Sequence, residues 1–464
     1  MNLARHSISA TDPLILYDVR YDPDCSIFTI STPAGFAIYR TCPLELVRKR
    51  EVTGGTLSMV VPMHVSSLLF LVGGGRSPRY PPNKVMFWDE AAGREVAELE
   101  FREKVRGLAC RRGWLAVALR RRVVVFEIGK SVSRYGEWDT CDNPRGLLAI
   151  ATGAFATLLA APGRQTGHVQ LIHLPPCRPP EPVGPPPPTR PRRPPVTKHS
   201  HSVIAAHNTA LTTLAVPPSG RLFATTSLRG TLVRVWDTAT GKQVRELRRG
   251  TDQAEIYGVA FRPDEAELCV WSDKGTVHIF ALSGRDGPSN RQSTLSSLTS
   301  YLPLPKYFES EWSYAQFRVP TQSSHISLTQ RTAGRQDPDV AEEEKCTVGW
   351  IQMPVEEERS PVSGAPSSTS EYQLVALTYS GGWYRLSLPS STASTQARAS
   401  SPTVGSSHSV RSHQTPLPKQ RAAPASLSPG RGDKGKGVAH DKEKESRDCI
   451  LQEYRRFGSW DGWG

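Results

Sequence analysis

Short apolar runs separated by turn residues recur along most of the chain. The runs are rich in Val, Ile, Phe and Trp and are bounded by Gly, Asp, Asn and Pro. Such runs predict β-strands connected by turns, and sustained helical spacing is missing. One pattern, a turn glycine or basic residue followed by an apolar and aromatic strand, occurs at GFAIYR (35–40), KVMFWDE (84–90), RRVVVFEI (121–128), GHVQLIHL (167–174), GTLVRVWD (230–237), GTVHIFAL (275–282) and GGWYRLSL (381–388).

The spacing of these seven segments indicates the architecture. The intervals between their leading apolar residues are 49, 38, 46, 63, 45 and 106 residues. Four of them lie near the ~40–45 residues of a four-stranded propeller blade. The interval of 63 contains a proline-rich loop (175–200), and the interval of 106 contains inserts at 284–306, 321–345 and 354–370. We therefore predict an all-β fold, a seven-bladed WD40-like β-propeller with long disordered insertions.

Composition divides the rest of the chain. Residues 12–388 supply the blades, whereas residues 389–448 are mainly Ser, Thr, Pro, Arg and Lys with almost no large apolar side chain. Such a composition cannot bury a core and predicts a disordered insertion. The apolar run at 449–455 is predicted to be the closing strand of the last blade. The sequence leaves open whether residues 14–19 contribute to ring closure.

Charge and cysteine usage narrow the functional classes. The 464 residues include 57 Lys plus Arg against 44 Asp plus Glu, which gives a formal net charge of +13. The eight cysteines form no CxxC pair, so neither a zinc cluster nor a redox dithiol is indicated. The N-terminus lacks the apolar stretch of a signal peptide. These features predict a reducing, cytoplasmic location.

Two segments match functional motifs only superficially. Residues 146–163 are uncharged, but the segment is short for a membrane span and is broken by Gly153, so two buried strands are predicted instead. Residues 430–437 (GRGDKGKG) match part of a phosphate loop, but Gly437 replaces the required Ser or Thr. HExxH and GxSxG motifs are missing. We expect no transmembrane segment, no metal, no cofactor and no enzymatic activity.

The segment LRRG (247–250) carries the most informative chemistry. Successive side chains of a strand leave on opposite sides, so Arg248 and Arg249 can serve separate anion sites. Guanidinium groups bind phosphate oxygens in a bidentate manner, and Gly250 permits close backbone approach or a special turn. The alternative is that LRRG is an exposed, solvated strand end. Polar side chains flank the pair in sequence: His207, Ser227, Arg229 and Thr231 before it, and Ser272, Lys274, Thr276 and His278 after it.

The run LRRGTDQAEIY (247–257) resembles the hallmark of the PROPPIN family, the WIPI-type phosphoinositide-binding propellers of autophagy. That hallmark is F/L-RRG followed by a TDxAxIY-like run, and Leu247 stands where Phe is commoner. The resemblance covers roughly residues 12–320 and the closing strands. The other segments that carry it are GGGRSPRYPPNKVMFWDE, GLLAIATGAFATLLAAPGRQTGHVQLIHL, ATTSLRGTLVRVWDT, SDKGTVHIFAL and PKYFESEWSYAQFRV.

The resemblance implies two lipid headgroup sites on one rim, at the fifth and sixth blades. The first would use His207, Ser227, Thr231 and Arg248, and the second Arg249, Ser272, Thr276 and His278. Arg229 and Lys274 are weaker candidates, and Arg234 is equally consistent with a structural role. A membrane-insertion loop after the third strand of the sixth blade is implied as well, the alternative being a polar loop with incidental leucines. Its apolar residues are Leu295, Leu298, Tyr301, Leu302 and Leu304.

The function implied by the resemblance is that of a phosphoinositide-binding peripheral membrane scaffold in autophagy. Its ligands would be phosphatidylinositol 3-phosphate and phosphatidylinositol 3,5-bisphosphate, and its partner the large lipid-transfer protein of autophagy, near the second and third blades. It would be cytoplasmic and peripherally associated with pre-autophagosomal, endosomal and vacuolar membranes.

Two alternative functions remain at this point. One is a generic WD40-like protein-interaction scaffold in which LRRG is incidental. The other is a basic nucleic-acid-binding propeller, prompted by the net charge and by the basic runs at 120–122 and 190–193. Those runs lack interleaved aromatic residues, and basic loops also suit acidic membranes, so we expect no nucleic-acid partner.

Overall fold

The apolar runs form short strands, as their β-branched and aromatic residues favour. The computed structural model describes residues 15–64, 66–176, 201–283, 288–292, 310–320, 345–354, 370–389 and 448–458. None of these described residues belongs to a helix, so this part of the chain contains no helix that could cross a membrane.

The strands of the described residues are numbered in chain order. They are β1 (Asp18–Tyr21), β2 (Ile27–Thr32), β3 (Gly35–Arg40), β4 (Glu45–Glu51), β5 (Leu57–Pro62), β6 (Leu68–Gly73), β7 (Lys84–Asp89), β8 (Arg94–Glu100), β9 (Gly107–Arg111), β10 (Trp114–Ala118), β11 (Arg122–Ile128), β12 (Val132–Asp139), β13 (Ala149–Ile150), β14 (Leu158–Pro162), β15 (His168–His173), β16 (His201–Ala205), β17 (Leu211–Ala215), β18 (Leu222–Ser227), β19 (Leu232–Asp237), β20 (Gln243–Arg248), β21 (Ile256–Phe261), β22 (Glu267–Ser272), β23 (Thr276–Ala281), β24 (Glu311–Trp312), β25 (Ala315–Arg318), β26 (Cys346–Pro354), β27 (Ser370–Thr378), β28 (Gly382–Ser387) and β29 (Ile450–Arg456).

These strands form seven antiparallel sheets, which we call blades 1 to 7 in chain order. Blades 1 to 4 each consist of four consecutive strands, from β1–β4 to β13–β16, and blade 5 contains the next four, β17–β20. Blade 6 combines β21, β22 and β23 with β25, and blade 7 consists of β26–β29. Blade 5 has a fifth strand, because β24 pairs in parallel with β20. The predicted seven-bladed all-β propeller is confirmed.

The apolar core lies between blades. Each adjacent pair of blades shares a cluster of buried side chains, and the seven clusters together run round the ring. This follows from strand alternation, since one side of each blade faces the preceding blade and the other side faces the next. Every blade is therefore covered on both sides.

The ring closes by packing of blade 7 against blade 1. Trp383 of β28 is fully buried, and its indole Nε1 donates to the carbonyl oxygen of Thr41 at 3.0 Å. The Tyr21 hydroxyl donates to the carbonyl oxygen of Val375 at 2.8 Å. Blade 1 takes all its strands from the beginning of the described chain and blade 7 takes all of its strands from the end, so no strand is shared across the closure.

Two further sequence predictions concern blades 4 and 7. Within residues 146–163, β13 and β14 pair antiparallel, as expected for two strands joined by a turn. Residues 450–456 form β29, which pairs antiparallel with β28. The domain boundaries and the predicted loops at 175–200, 284–306, 321–345, 354–370 and 389–448 lie largely outside the described residues and stay predictions.

Candidate functional site

The segments that carry the predicted site residues meet on one face of blades 5 and 6. In a four-stranded antiparallel blade, the turn between the second and third strands lies on the same face as the connection to the next blade. The backbone N–H of Arg249 accordingly donates to the carbonyl oxygen of Thr231 at 3.0 Å, and that of Asp273 to Glu255 at 2.9 Å. The turns at 228–231 and 273–275 thus flank the connection at 249–255.

Strand alternation divides the polar side chains of blade 5 between its two sides. Trp236 packs in the cluster shared with blade 4, and Leu247 in the cluster shared with blade 6. Arg248 follows Leu247, so alternation directs it to the blade 4 side and Arg249 to the blade 6 side. The adjacent arginines therefore belong to two different blade interfaces.

Arg248 is the last residue of β20 and is only 5% exposed. Its Nε donates to the hydroxyl oxygen of Ser310 at 2.7 Å. The ring of Trp312 lies beside the guanidinium, with its centroid 5.9 Å from Cζ. A guanidinium held in this way is not a solvated strand end.

Arg249 is 7% exposed and has different neighbours. Its Nε donates to the carbonyl oxygen of Gly230 at 2.9 Å, and a second guanidinium nitrogen donates to the carbonyl oxygen of Asp252. Burial lowers the pKa of Arg249, against the opposing effects of the Asp273 and Asp252 carboxylates. An arginine stays charged under such a shift.

The glycine that the site requires is Gly230. Its φ is +61°, and a Cβ there would lie 1.8 Å from the carbonyl oxygen of Ala254. The φ of Gly250 is not positive, and no protein atom beyond its chain neighbours lies within 4 Å of the position of a Cβ there. The structure therefore shows no special turn at Gly250, and close approach of a ligand to its backbone stays a prediction.

His207, Ser227 and Arg248 all lie on the side of blade 5 that faces blade 4. His207 is buried in the connection between these blades, with Nε2 at 3.0 Å from the Thr225 hydroxyl. Ser227 ends β18 on the same side of blade 5 as Thr225. Burial and the charge of Arg234 lower the pKa of His207 to about 4, so this imidazole is neutral at pH 7.

Arg234 makes structural contacts within its surroundings, and Thr231 contacts Arg249. Arg234 pairs with Glu246 at 3.0 Å and donates to the carbonyl oxygen of Ala206 at 2.7 Å, which gives it the structural role that the sequence left open. Thr231 was predicted in the first set, with Arg248. The structure pairs its backbone with Arg249, the arginine of the other set.

Ser272, Thr276 and His278 face blade 5 from blade 6. Residues at alternate positions of the same strands, such as Val270, pack in the cluster shared by these two blades, so the three polar side chains point to the same side. Ser272 is buried at the end of β22, and Thr276 begins β23. Nδ1 of His278 lies 3.1 Å from the Ser313 hydroxyl, and burial together with the charge of Arg249 lowers the pKa of His278 to about 4.

The weaker candidates Arg229 and Lys274 lie in the two turns beside the arginines. The carbonyl oxygen of Arg229 accepts a hydrogen bond from the N–H of Ala254 at 3.3 Å, and the Lys274 ammonium lies 3.6 Å from the Asp273 carboxylate.

The predicted membrane-insertion residues fall outside the described residues. They are Leu295, Leu298, Tyr301, Leu302 and Leu304.

Sequence reasoning missed the contribution of residues 310–313. Ser310 and Trp312 contact Arg248, and Ser313 contacts His278. They lie inside PKYFESEWSYAQFRV, but that segment is 62 residues from Arg248, and no local pattern indicates which strand it will join. The pairing of β24 with β20 is a tertiary contact that periodicity does not show.

One group in the described residues has ligand atoms close enough for a metal ion. It consists of Asp22, Asp24 and His64, whose ligand atoms lie within 4.8 Å of one another. Nδ1 of His64 is 3.0 Å from the Asp22 carboxylate, and this interaction across blades 1 and 2 accounts for their proximity. The group is remote in sequence from both arginine sets.

Comparisons with known proteins match the part of the chain that carries both arginine sets. The PROPPIN family model matches residues 197–354, which include both arginine sets. "SVP1-like protein 2" of Pichia angusta is 31% identical over 324 residues, covering 69% of this chain and 85% of that protein. "Autophagy-related protein 18e" of Arabidopsis thaliana is 30% identical over 325 residues, covering 68% and 79%.

Solved structures share the fold. Kluyveromyces lactis Hsv2 with complete loop 6CD aligns with a TM-score of 0.57 at 21% identity, covering 82% of this chain and 95% of that chain. KlAtg21, solved in complex with the coiled-coil of AgAtg16, aligns with a TM-score of 0.53 at 15% identity, covering 96% and 100%. Whereas these structures show the fold, the identity to the curated relatives shows that the chain belongs to the PROPPIN family of autophagy-related, phosphoinositide-binding propellers, a non-catalytic family of binding proteins.

Proposed function

We propose that this chain binds phosphatidylinositol 3-phosphate and phosphatidylinositol 3,5-bisphosphate through two headgroup sites. His207, Ser227 and Arg248 form the first site, and Thr231, which the sequence assigned to it, contacts Arg249 of the second site through its backbone. Arg249, Ser272, Thr276 and His278 form the second. The observation that carries the proposal is the division of two adjacent arginines between two blade interfaces, each with an imidazole and a hydroxyl group.

The chemistry of each set suits a phosphorylated inositol. A guanidinium supplies charge-assisted, directional hydrogen bonds to phosphate oxygens. Serine and threonine hydroxyls donate to phosphate or exchange hydrogen bonds with ring hydroxyls. An anion bound beside His207 or His278 favours the protonated imidazole, so the pKa of each should rise on binding.

Membrane attachment would combine several weak contacts. Two headgroup sites on one face can engage two lipids of the same bilayer, so that avidity exceeds either affinity. Insertion of Leu295, Leu298, Tyr301, Leu302 and Leu304 would add apolar burial at the headgroup boundary. We propose on this basis a peripheral attachment to pre-autophagosomal, endosomal and vacuolar membranes from the cytoplasmic side.

The proposed partners are autophagy proteins recruited to those membranes. KlAtg21 was solved with a coiled-coil of AgAtg16, which supports protein recruitment by a propeller of this fold. For this chain we propose the large lipid-transfer protein of autophagy, docking around blades 2 and 3.

The decisive experiment is liposome flotation of purified protein. Vesicles are matched in net charge and contain phosphatidylinositol 3-phosphate, the 3,5-bisphosphate or neither. Wild type is compared with Arg248→Thr/Arg249→Thr and with Arg120→Thr/Arg121→Thr, which removes the same charge from an exposed turn of blade 3. We expect selective flotation that is lost only in the first variant.

A different result would favour another function. Equal flotation of all three proteins on any acidic vesicle would assign binding to the net charge of +13 and remove the arginine sets from the mechanism. Absence of flotation in all three would leave the generic interaction scaffold.

A further inference from the structure

We propose that residues 310–313 are a shared component of both headgroup sites, with Ser310 and Trp312 positioning Arg248 and Ser313 positioning His278. The proposal rests on the proposed headgroup-binding function and adds three positioning residues to it. It concerns a segment that follows the third strand of blade 6 and returns along the outer edge of blade 5.

Hydrogen bonds on two sides fix the segment. β24 pairs in parallel with β20, with Leu247 opposite Glu311 and Arg248 opposite Trp312. On its other side, the backbone of Trp312 exchanges two hydrogen bonds with that of Arg291, at 2.7 and 3.0 Å. A two-residue strand held from both sides has little freedom to move away from Arg248.

A polar cluster adds to this attachment. The Glu311 carboxylate accepts a hydrogen bond from Arg245 of β20 at 2.9 Å and another from the Asn290 amide. The Asn290 side chain also exchanges hydrogen bonds with the backbone of Ala281, at 2.7 and 2.8 Å. The segment is thus tied to blade 5 through Arg245 and to the end of β23 through Asn290.

The segment holds Arg248 through two different contacts. Ser310 is 1% exposed, and its hydroxyl accepts from Nε of Arg248, which fixes the rotation of the guanidinium plane. The ring of Trp312 lies 5.9 Å from Cζ, within the range of a cation–π interaction. Ordering a flexible arginine before the ligand arrives lowers the entropy cost of binding.

Arg249 is held differently. Its guanidinium donates to the carbonyl oxygens of Gly230 and Asp252, both within 20 residues in sequence. The returning segment reaches this second site through Ser313, whose hydroxyl lies 3.1 Å from Nδ1 of His278. The two serines of the segment therefore serve different sites.

The two serines are expected to affect different sites, so their substitutions should have opposite effects in two single-site backgrounds. A general loss of stability would instead weaken binding in both backgrounds. Each serine is changed in two backgrounds, Arg249→Thr, which leaves only the first site, and Arg248→Thr, which leaves only the second. Binding to vesicles with phosphatidylinositol 3-phosphate is titrated, and soluble inositol 1,3-bisphosphate is titrated as a bilayer-free probe. Ser310→Ala is expected to weaken binding about three- to tenfold in the Arg249→Thr background and not in the other. Ser313→Ala is expected to do the reverse.

Trp312 supplies a test by conservative replacement. Trp312→Ala should weaken the first site about three- to tenfold, and Trp312→Phe should restore most of that loss because a phenyl ring keeps a cation–π face. Thermal unfolding of every variant checks that the fold persists.

Three outcomes would overturn the proposal. Equal effects of a serine change in both backgrounds would mean a purely structural role. Tighter binding after Ser310→Ala or Trp312→Ala would mean that the segment covers Arg248 and competes with the headgroup. Unchanged binding in all single-site proteins would mean that residues 310–313 take no part. If neither arginine background binds lipid and the wild type does not either, the proposed function itself has failed.

Discussion

Arg249 and His278 face each other across the interface of blades 5 and 6, and burial together with the charge of Arg249 lowers the pKa of the imidazole to about 4. A phosphate bound between the two side chains would offset the arginine charge and favour the protonated imidazole. The His278 imidazole would then bind more protons in the complex than in the free protein, so its contribution to affinity should rise as pH falls from 8 towards 6.

Calorimetric titration of inositol 1,3-bisphosphate measures this proton uptake. The apparent binding enthalpy at pH 7 should vary with the ionisation enthalpy of the buffer, which indicates net uptake of a fraction of a proton. His278→Gln should lower that proton uptake. Protons exchanged by the phosphate of the ligand contribute to both proteins alike, so the difference between the two proteins reports on His278. Identical buffer dependence in the two proteins would exclude His278 as a proton acceptor.

Folding stability should fall in mild acid because of His207 and His278. Both have a pKa of about 4 in the folded protein, against 6.5 for an ordinary histidine. Between these values the unfolded chain binds more protons, so stability is intact above pH 6.5 and decreases as pH falls towards 4. The full effect is on the order of 3 kcal/mol for each histidine.

Urea denaturation at pH 7.5 and pH 5 of wild type and His207→Gln/His278→Gln tests that effect. The wild type should lose more stability between the two pH values than the variant does. The comparison with the variant is needed because burial raises the pKa of Asp22 to about 6. The folded protein therefore binds a proton at Asp22 more readily than the unfolded chain does, so this group increases stability as pH falls and opposes the effect of the histidines. An equal loss in both proteins would contradict the assignment to the histidines.

Much of the fold was predictable because a propeller repeats one local pattern. Each blade needs an apolar strand after a tight turn, and glycines such as Gly230 and Gly275, both with positive φ, mark those turns in the sequence. Ring closure was not predictable, because the contact between Trp383 and Thr41 joins residues 342 apart and leaves no periodic signal.

The site was predictable to the extent that it depends on alternation. Adjacent positions in a strand must face opposite sides, and this separates Arg248 from Arg249 without further information. The register between strands was not predictable, so the pairing of Thr231 with Arg249 and the attachment of β24 beside Arg248 appear only in the structure.

Trp383 should be important for closing the ring. Its side chain is fully buried between blades 7 and 1, and Trp383→Ala should lower the free energy of unfolding by about 3–5 kcal/mol. Trp383→Phe keeps most of the apolar contact but removes the hydrogen bond to Thr41, so a loss of about 1–3 kcal/mol is expected. Chemical denaturation measures both, and a loss below 1 kcal/mol for the alanine variant would mean that closure depends on other contacts.

The predicted insertion loop can be separated from the headgroup sites. Replacing Leu295, Leu298, Tyr301, Leu302 and Leu304 with serine removes the apolar side chains and leaves both arginines in place. If the loop enters the bilayer, flotation on vesicles with phosphatidylinositol 3-phosphate should fall about tenfold or more, because each buried apolar side chain contributes on the order of 1 kcal/mol or more. Affinity for soluble inositol 1,3-bisphosphate should stay unchanged, since no bilayer is present. Flotation equal to that of the wild type would remove the loop from the mechanism, whereas loss of the soluble ligand as well would show that the substitutions had disturbed the headgroup sites.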